Sequence, residues 1–433
     1  MLLKKEAHRI AVEVIRPCAR QLDRMPPEQR ILPGSPYFQA MGQLKALGYH
    51  RMFLPAPYSD PDSQVSALGR AIFLEELGWG SLGLATAFGV DMLPFVLIAM
   101  FGSDQLKEEV LIPWVEDTEG KYHGCWGATE PDHGSDGIMS LRDESGLTFG
   151  KAQVSIQSSG DDWIINGQKS AWVSSAPVAT HCALHVQLAG EENPLHGMLV
   201  IVDLSSDGIT LGKPIQMLGA RDDPQGEIFF ENVRIPAKNV LVANSPFYGV
   251  FIDQLLCATS SNVANIAVGV ARAAFEEALE YTRRRVQGGQ PISNHKNVQL
   301  TLYSMFEKIE TARCFARQAL AFLQGETPKL DDLSQDEPQS PMGLSNFLSS
   351  PRHARCAQIY AKRIAFEVAN DALQLSGAFG LSDESLFEKL FRDARSLWIE
   401  DGTLEVLSLD AARDLIKNYE TDQYVPTEVI QRW

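Results

Sequence analysis

Apolar residues recur at three- and four-residue spacing over Ala7 to Leu22, Tyr37 to Leu47 and Ala67 to Leu77, the period of helices that bury one face. Pro26, Pro27, Pro55, Pro57 and Pro61 punctuate these runs as loops. Gly83 to Phe101 is apolar almost throughout, with Asp91 its one charge, which predicts a helix buried on most sides. From about residue 121 the grammar changes. Short β-branched and aromatic runs (Asp162 to Gly167, His181 to Val186, Gly197 to Val202, Glu227 to Phe230) alternate with Gly, Asp, Ser and Pro, as strands of an antiparallel sheet do. Long helical periods return over Val263 to Arg285, Val298 to Gln324, Ala354 to Leu375 and Leu386 to Ser396. Between the second and third, Gly325 to Pro351 is rich in Asp, Ser, Pro and Gln and reads as a surface excursion. The pattern predicts an α+β chain of three domains: helical over 1–120, β over 121–242, helical over 243–433.

Composition narrows the class. A chain of 433 residues, 45% hydrophobic, can bury a large core. No apolar run is expected to reach the eighteen or more residues of a membrane span. The opening Met1-Leu2-Leu3-Lys4-Lys5-Glu6 turns polar too soon for a secretory signal. The six cysteines lack CxxC spacing, which argues against a zinc site or disulfide framework and for a reducing cytoplasm. A formal charge of −17 disfavours a nucleic-acid partner, since phosphate contacts need basic surface.

Candidate chemistry gathers in five places. In Arg392 to Thr403, Glu400 and Asp401 stand where an amphipathic helix runs into Gly402. A carboxylate on such a shoulder can act as a general base, and the amides around Gly402 can approach a ligand closely, although solvated acids at a helix end would look the same. Gly127 to Asp136 packs small residues and hydroxyls, Thr129 and Ser135 among them, into a tight loop. Trp172 and Ser174 present an indole and a hydroxyl to one side of a strand, which suits a flat heteroaromatic ligand unless Trp172 merely fills the core. Arg283-Arg284-Arg285 ends a helix before Gly288-Gly289, as a diphosphate clamp or as charges favoured by the helix dipole. Gln374-Leu375-Ser376-Gly377-Ala378-Phe379-Gly380 follows another helix.

In this order, over nearly the whole chain, these segments resemble the acyl-CoA dehydrogenase family. The resemblance implies a helical N-terminal domain, a middle antiparallel β-barrel or sandwich and a C-terminal four-helix bundle, with bound FAD in a homotetramer. It implies an acyl-CoA substrate and an electron-transferring flavoprotein as electron acceptor. By the same resemblance, Thr129 sits at the flavin's pyrimidine edge and Ser135 contacts the acyl-CoA chain. Trp172 covers the isoalloxazine, with Ser174 near N5. Arg285, Gln374 and Gly377 reach a neighbouring subunit's FAD, Thr403 holds the subunit's own diphosphate, and Glu405 falls where an adenine-side Gln is frequent.

The sequence also departs from that pattern. Asp401 stands where the family usually has its catalytic Glu, and Glu400 replaces an aromatic. The alternative base position of some members is Thr259, which cannot serve. Three sources of base remain: Asp401, Glu400 swung in, or Asp91, a lone carboxylate that needs a raised pKa or a partner. Gly288, Lys296 and Ala378 replace residues usual near the flavin. Expected activity is removal of α and β hydrogens from a CoA thioester. The alternatives are 1,4-dehydrogenation of a cyclic enoyl-CoA, enoyl-CoA reduction, desulfination, or a catalytically silent subunit of a hetero-oligomer.

Overall fold

A computed structural model describes residues 2–59, 65–136, 152–191, 193, 196–243, 247–324 and 351–418. All of the Gly325 to Pro351 excursion except Pro351 lies outside the described residues. Helices α1 (Leu2–Ile10) and α2 (Arg16–Arg24) run together through a π-helical turn, followed by α3 (Pro36–Ala46), α4 (Ala67–Gly80) and α5 (Leu82–Phe101). The hydroxyl of Ser66 starts α4 by accepting the Gly69 N–H at 3.2 Å, the side-chain cap that a helix N-terminus needs. By length and composition α5 could cross a membrane, contrary to expectation. In the fold it is largely buried, against α4 and the first strand.

Strands β1 (Gly124–Gly127), β2 (Ser155–Ser159), β3 (Asp162–Ser174), β4 (His181–Leu188), β5 (Gly197–Asp203), β6 (Ile209–Leu211), β7 (Gln225–Pro236) and β8 (Val240–Val242) follow. Their order is β6-β7-β3-β2-β4-β5-β8, with β1 also on β4. The sheet is mixed rather than wholly antiparallel. Both β1 and β2 pair with β4 in parallel, at Cys125↔Cys182 and Ile156↔Leu188. Parallel pairs need long crossovers, and no local turn signal announces them. Val154, Ile165, Val173, Leu184, Val200 and Ile228 fill the sheet's own core.

The C-terminal helices are α6 (Phe247–Arg284), α7 (Lys296–Leu323), α8 (Pro351–Ser376), α9 (Phe387–Ser396) and α10 (Leu404–Asn418). Helix α6 begins well before the expected Val263, and α10 was not expected at all. Helices α4 and α6 cross backbone to backbone. A Cβ on Gly78 would strike the Ile266 carbonyl, and one on Gly269 would strike that of Glu75. Beside that crossing, the buried Glu75 is held by Arg272 at 2.7 Å, Arg313 at 3.1 Å and Arg317 at 3.0 Å, which ties α4 to α6 and α7.

A second ionic knot joins all three parts of the chain. Lys389 of α9 meets Asp222 at 3.1 Å and Asp393 at 2.6 Å. Asp393 also accepts the Ala220 N–H at 2.8 Å, while Asp222 caps the start of α5 by accepting from Leu84 N at 2.9 Å and from the Ser81 hydroxyl. Helix α9 is thereby fixed against the β7 approach and the N-terminal helices. The turn that leaves α9 inherits that fixed position.

Candidate active site

Helix α9 ends at Ser396, and the chain bends through Leu397 to Gly402 before α10. The bend turns on two successive left-handed residues, Asp401 at φ 51° and Gly402 at φ 92°. Glycine adopts that region freely. Aspartate does so at a cost of about 1 kcal/mol. Side chains of α8 hold this bend. Lys362 Nζ donates to the carbonyls of Glu400 at 2.5 Å and Gly402 at 3.1 Å. Gln358 Nε2 donates to the Asp401 carbonyl at 3.1 Å and to its carboxylate Oδ2 at 2.8 Å.

The carboxyl of Asp401 faces the bundle. Burial raises its pKa, against the pull of the Lys362 charge, the Thr259 hydroxyl, Arg355 and Gln358. Thr259, at the alternative base position, is thus a hydrogen-bond partner of Asp401. Glu400 faces the other way, toward the β segment. Burial, reinforced by Asp223 and opposed by Lys362, pushes its carboxyl up to about 8, and its Oε1 has no hydrogen-bond partner. Asp223 is pushed up to about 7 by burial, and bonds to Ser174 and Gln225 restrain the shift. Gln225 Nε2 reaches both Ser174 Oγ and Asp223 Oδ2 at 3.3 Å. Asp223, bonded to Ser174, and Glu400 influence one another electrostatically on the sheet side of the turn.

The Gly127 to Asp136 loop closes on the same turn. Ser135 Oγ accepts the Thr403 N–H at 3.2 Å, and the Thr403 hydroxyl in turn accepts the Val406 N–H at 3.4 Å in the first turn of α10. Thr129 Oγ1 lies 2.6 Å from Ser170 Oγ on β3. Glu130 anchors the loop by pairing with buried Lys169 at 2.8 Å and accepting Val154 N–H at 3.1 Å. Two residues beyond Ser170, the indole of Trp172 is 61% exposed, so it is not core filler.

The chain matches the N-terminal, middle and C-terminal domain descriptions of the acyl-CoA dehydrogenases over residues 1–117, 125–233 and 258–416. It is 29% identical over 384 residues to the probable acyl-CoA dehydrogenase YngJ of Bacillus subtilis, covering 88% of this chain and 89% of that one. It is 26% identical over 420 residues to the mitochondrial short-chain specific acyl-CoA dehydrogenase of Rattus norvegicus, covering 96% and 90%. The chain belongs to the acyl-CoA dehydrogenase family. The butyryl-CoA dehydrogenase structure from Megasphaera elsdenii, at 24% identity and TM-score 0.80, shares the fold over 96% of this chain and 97% of its own. Members of the family are FAD-dependent, and this chain is by family an oxidoreductase acting on CH–CH donors.

Within that family frame, the residues expected at the site fall into two groups. Ser135 meets Thr403 at the bend formed by Glu400, Asp401 and Gly402, Thr129 is tied to Ser170 two residues before Trp172 on the strand of Ser174, and Glu405 is exposed in the first turn of α10. Arg285, Gln374 and Gly377 lie at the far end of α6 and α8, exposed and brought near one another where Tyr281 stacks on Phe379 at 5.7 Å.

Asp91 belongs to neither group. Its Oδ1 accepts from His123 Nδ1 at 2.7 Å and Gly124 N at 3.1 Å, and its Oδ2 lies 3.2 Å from Lys45 Nζ. Despite complete burial its pKa is lowered, through Lys45 and His123. Of the two alternatives expected of it, a raised pKa or a partner, the structure shows the partner: Asp91 is the counter-ion of a buried lysine rather than a free base.

Sequence reading passed over Asp223, Gln358 and Lys362. A signal for two of them existed. Arg355, Gln358 and Lys362 share one face of α8 at helical spacing, among Ala354, Ala357, Ala361 and Ala365, and all three are buried. Polar side chains on an otherwise alanine-lined buried face require polar partners.

Proposed function

We propose that this protein catalyses FAD-dependent α,β-dehydrogenation of an acyl-CoA thioester, with an electron-transferring flavoprotein taking the electrons. One observation carries the reading. The loop of Thr129 and Ser135 meets the acidic bend through the Ser135–Thr403 hydrogen bond, and the Trp172–Ser174 strand is linked to it through Asp223, which bonds to Ser174 and lies within electrostatic reach of Glu400.

The residues present suit a flavin. The exposed indole of Trp172 offers a flat apolar cover, with the Ser174 hydroxyl on the same face of β3 and buried Val173 on the other. Thr129, bonded to Ser170 of the same strand, and Thr403, bonded to Ser135 of the loop, offer further hydroxyls, with Glu405 two residues beyond Thr403. Bound there, FAD would supply the acceptor for the β-hydrogen as hydride. Asp401 takes the α-proton. Glu400, with its carboxyl near 8, is mainly protonated at neutral pH, whereas Asp401 keeps two cations and two hydrogen-bond donors on its charge. Ser135 and the Gly402 backbone line the substrate side.

Arg285, Gln374 and Gly377 leave their exposed faces to the FAD of a second copy, which supports a homotetramer. So does the apolar strip Leu300, Tyr303 and Phe306 on α7, exposed at 70%, 64% and 47%. The six cysteines lack CxxC spacing, which supports a reducing cytoplasm.

The test is spectroscopic. The purified protein should be yellow and should bleach when mixed with a suitable straight, branched or cyclic acyl-CoA. Asp401→Asn should stay yellow and lose bleaching by about 10² to 10⁴-fold, the usual worth of a positioned base. Retained bleaching in Asp401→Asn, or no bleaching of the parent by any saturated acyl-CoA, would sink the proposal. The second outcome would favour a silent subunit or changed chemistry on the same scaffold.

A further inference from the structure

Three consecutive carbonyls, those of Glu400, Asp401 and Gly402, are all held by two side chains one turn apart on α8. Gln358 takes the middle carbonyl together with the Asp401 carboxylate, and Lys362 takes the two that flank it. Such a grip is not needed to end a helix. Helix α9 has already ended at Ser396, and a turn of this kind commonly needs just one left-handed residue, which Gly402 supplies. Here the left-handed conformation also falls on Asp401, which tolerates it only when the surroundings hold it there. The Lys362 ammonium is fully buried, and the charges that most favour its protonation are Asp401 and then Glu400. A buried lysine is costly unless it is paired, so its position beneath this bend calls for an explanation.

We propose that Lys362 is the positioning residue of this active site: by clasping the carbonyls on either side of Asp401 it holds that residue left-handed, aims its carboxylate, and supplies the positive charge that keeps it ionised. The assignment rests on Asp401 being the base. It also explains how a side chain one methylene shorter than the family's usual Glu can serve. The peptide planes on both sides are fixed, so the shorter reach is set by the backbone rather than by side-chain rotamers. Burial draws the lysine's own pKa down to about 8, so the clasp carries its charge at neutral pH and begins to lose it just above.

The charged and titratable groups around the bend are few. Lys362 and Arg355 face Asp401 from α8, with Thr259 as an uncharged donor from α6. Arg355 is itself paired with Asp410 of α10 and with Asp253 of α6. Glu400 is faced by Asp223 and Asp222 from the β7 approach, by Asp393 of α9 and by Lys362. Removing the Lys362 charge therefore leaves Arg355, already engaged by two carboxylates, as the remaining cation near Asp401. The carboxylate then holds its proton to higher pH.

The experiment follows flavin reduction by an acyl-CoA in rapid mixing, across pH, for the parent and for Lys362→Met, Lys362→Gln and Lys362→Arg, with FAD content and melting temperature measured on each. In Lys362→Met the reduction rate should fall by about 10²-fold, as expected for a displaced base. Its acidic limb should move up by about one pH unit or more, since a unit charge a few ångströms away is lost. FAD content should stay near that of the parent. Lys362→Arg should keep the limb at its parent position, because the charge remains. If Lys362→Met does not fold, Lys362→Gln, which retains a donor without charge, should show the same upward shift. Unchanged rate and limb in the neutral variants, with only the melting temperature lowered, would overturn the proposal and leave Lys362 a structural clamp. Asp401→Asn run alongside separates the two failures. Its inactivity with an unshifted limb in Lys362→Met refutes the clasp alone, whereas its activity refutes the base.

Discussion

Glu400 stores a proton that the unfolded chain would release, and this makes stability depend on pH in a direction that can be worked out. Its carboxyl rises from the ordinary 4.5 to about 8 in the fold. A raised folded pKa contributes stability that is complete below the unfolded value and is lost as pH climbs through the folded one. Between about pH 5.5 and 7.5 the folded protein holds this proton and the unfolded chain does not, so about 1.4 kcal/mol is lost per pH unit, or about 2.7 kcal/mol in all. Asp223, pushed up to about 7 beside it, shares the titration and trims the part due to Glu400 to about 2 kcal/mol. Glu400→Gln has no proton to lose at this position. Urea unfolding of parent and variant at half-unit steps across that range should show the parent's advantage shrinking, or the variant's growing, by about 2 kcal/mol. Parallel stability curves would refute the buried, proton-holding Glu400 and with it the argument that leaves Asp401 as the base.

Two further outcomes follow from the geometry. Asp91→Asn should destabilise the protein by about 3 kcal/mol, because among the described residues buried Lys45 keeps as carboxylate partner just Asp117 at 3.9 Å, beside the Tyr122 carbonyl, while flavin reduction in the folded fraction stays at parent level; urea titration and rapid mixing check the two halves, and loss of reduction in stably folded protein would return Asp91 to the catalytic list. If the proposed homotetramer uses the apolar strip of α7, Leu300→Glu with Phe306→Glu should give smaller species than the parent in analytical ultracentrifugation, since charges cannot be buried in an apolar contact.

Periodicity in the sequence located helices such as Tyr37 to Leu47, found as Pro36–Ala46, and strands such as Gly197 to Val202, found within Gly197–Asp203. These features are local, because each side chain's face is set by its neighbours a few positions away. The parallel pairing of β1 and β2 with β4 is not local, and nothing within those strands encodes it. At the site, the bend and the Ser135 loop were visible because each concentrates unusual residues within ten or twelve positions. Lys362 and Gln358 were not, since their partners lie roughly forty residues further on. The partners of Asp91, namely Lys45 and His123, come from segments on either side of it and gave no hint of their meeting. Helix α6 hid its first turns because Phe247 to Asn262 mixes apolar residues with Asp253, Gln254, Thr259, Ser260 and Ser261, several of which prove to be buried. Ser260 among them meets Arg355 of α8 at 3.4 Å, a partner far along the chain.

The ionic knot of Lys389 has a bearing on how the chain is made. Asp222 is buried at the start of α5, and its cation is separated from it by 167 residues of sequence. A ribosome delivers the acid long before the lysine, so for much of synthesis the docking surface between the β segment and the N-terminal helices carries an uncompensated charge. That surface should remain open until α9 emerges. Since the same helix leads directly into the Asp401 bend, docking of the three parts should also set the position of the proposed base. A chain truncated before residue 389 lacks the lysine that compensates Asp222 and should fail to bring its three parts together.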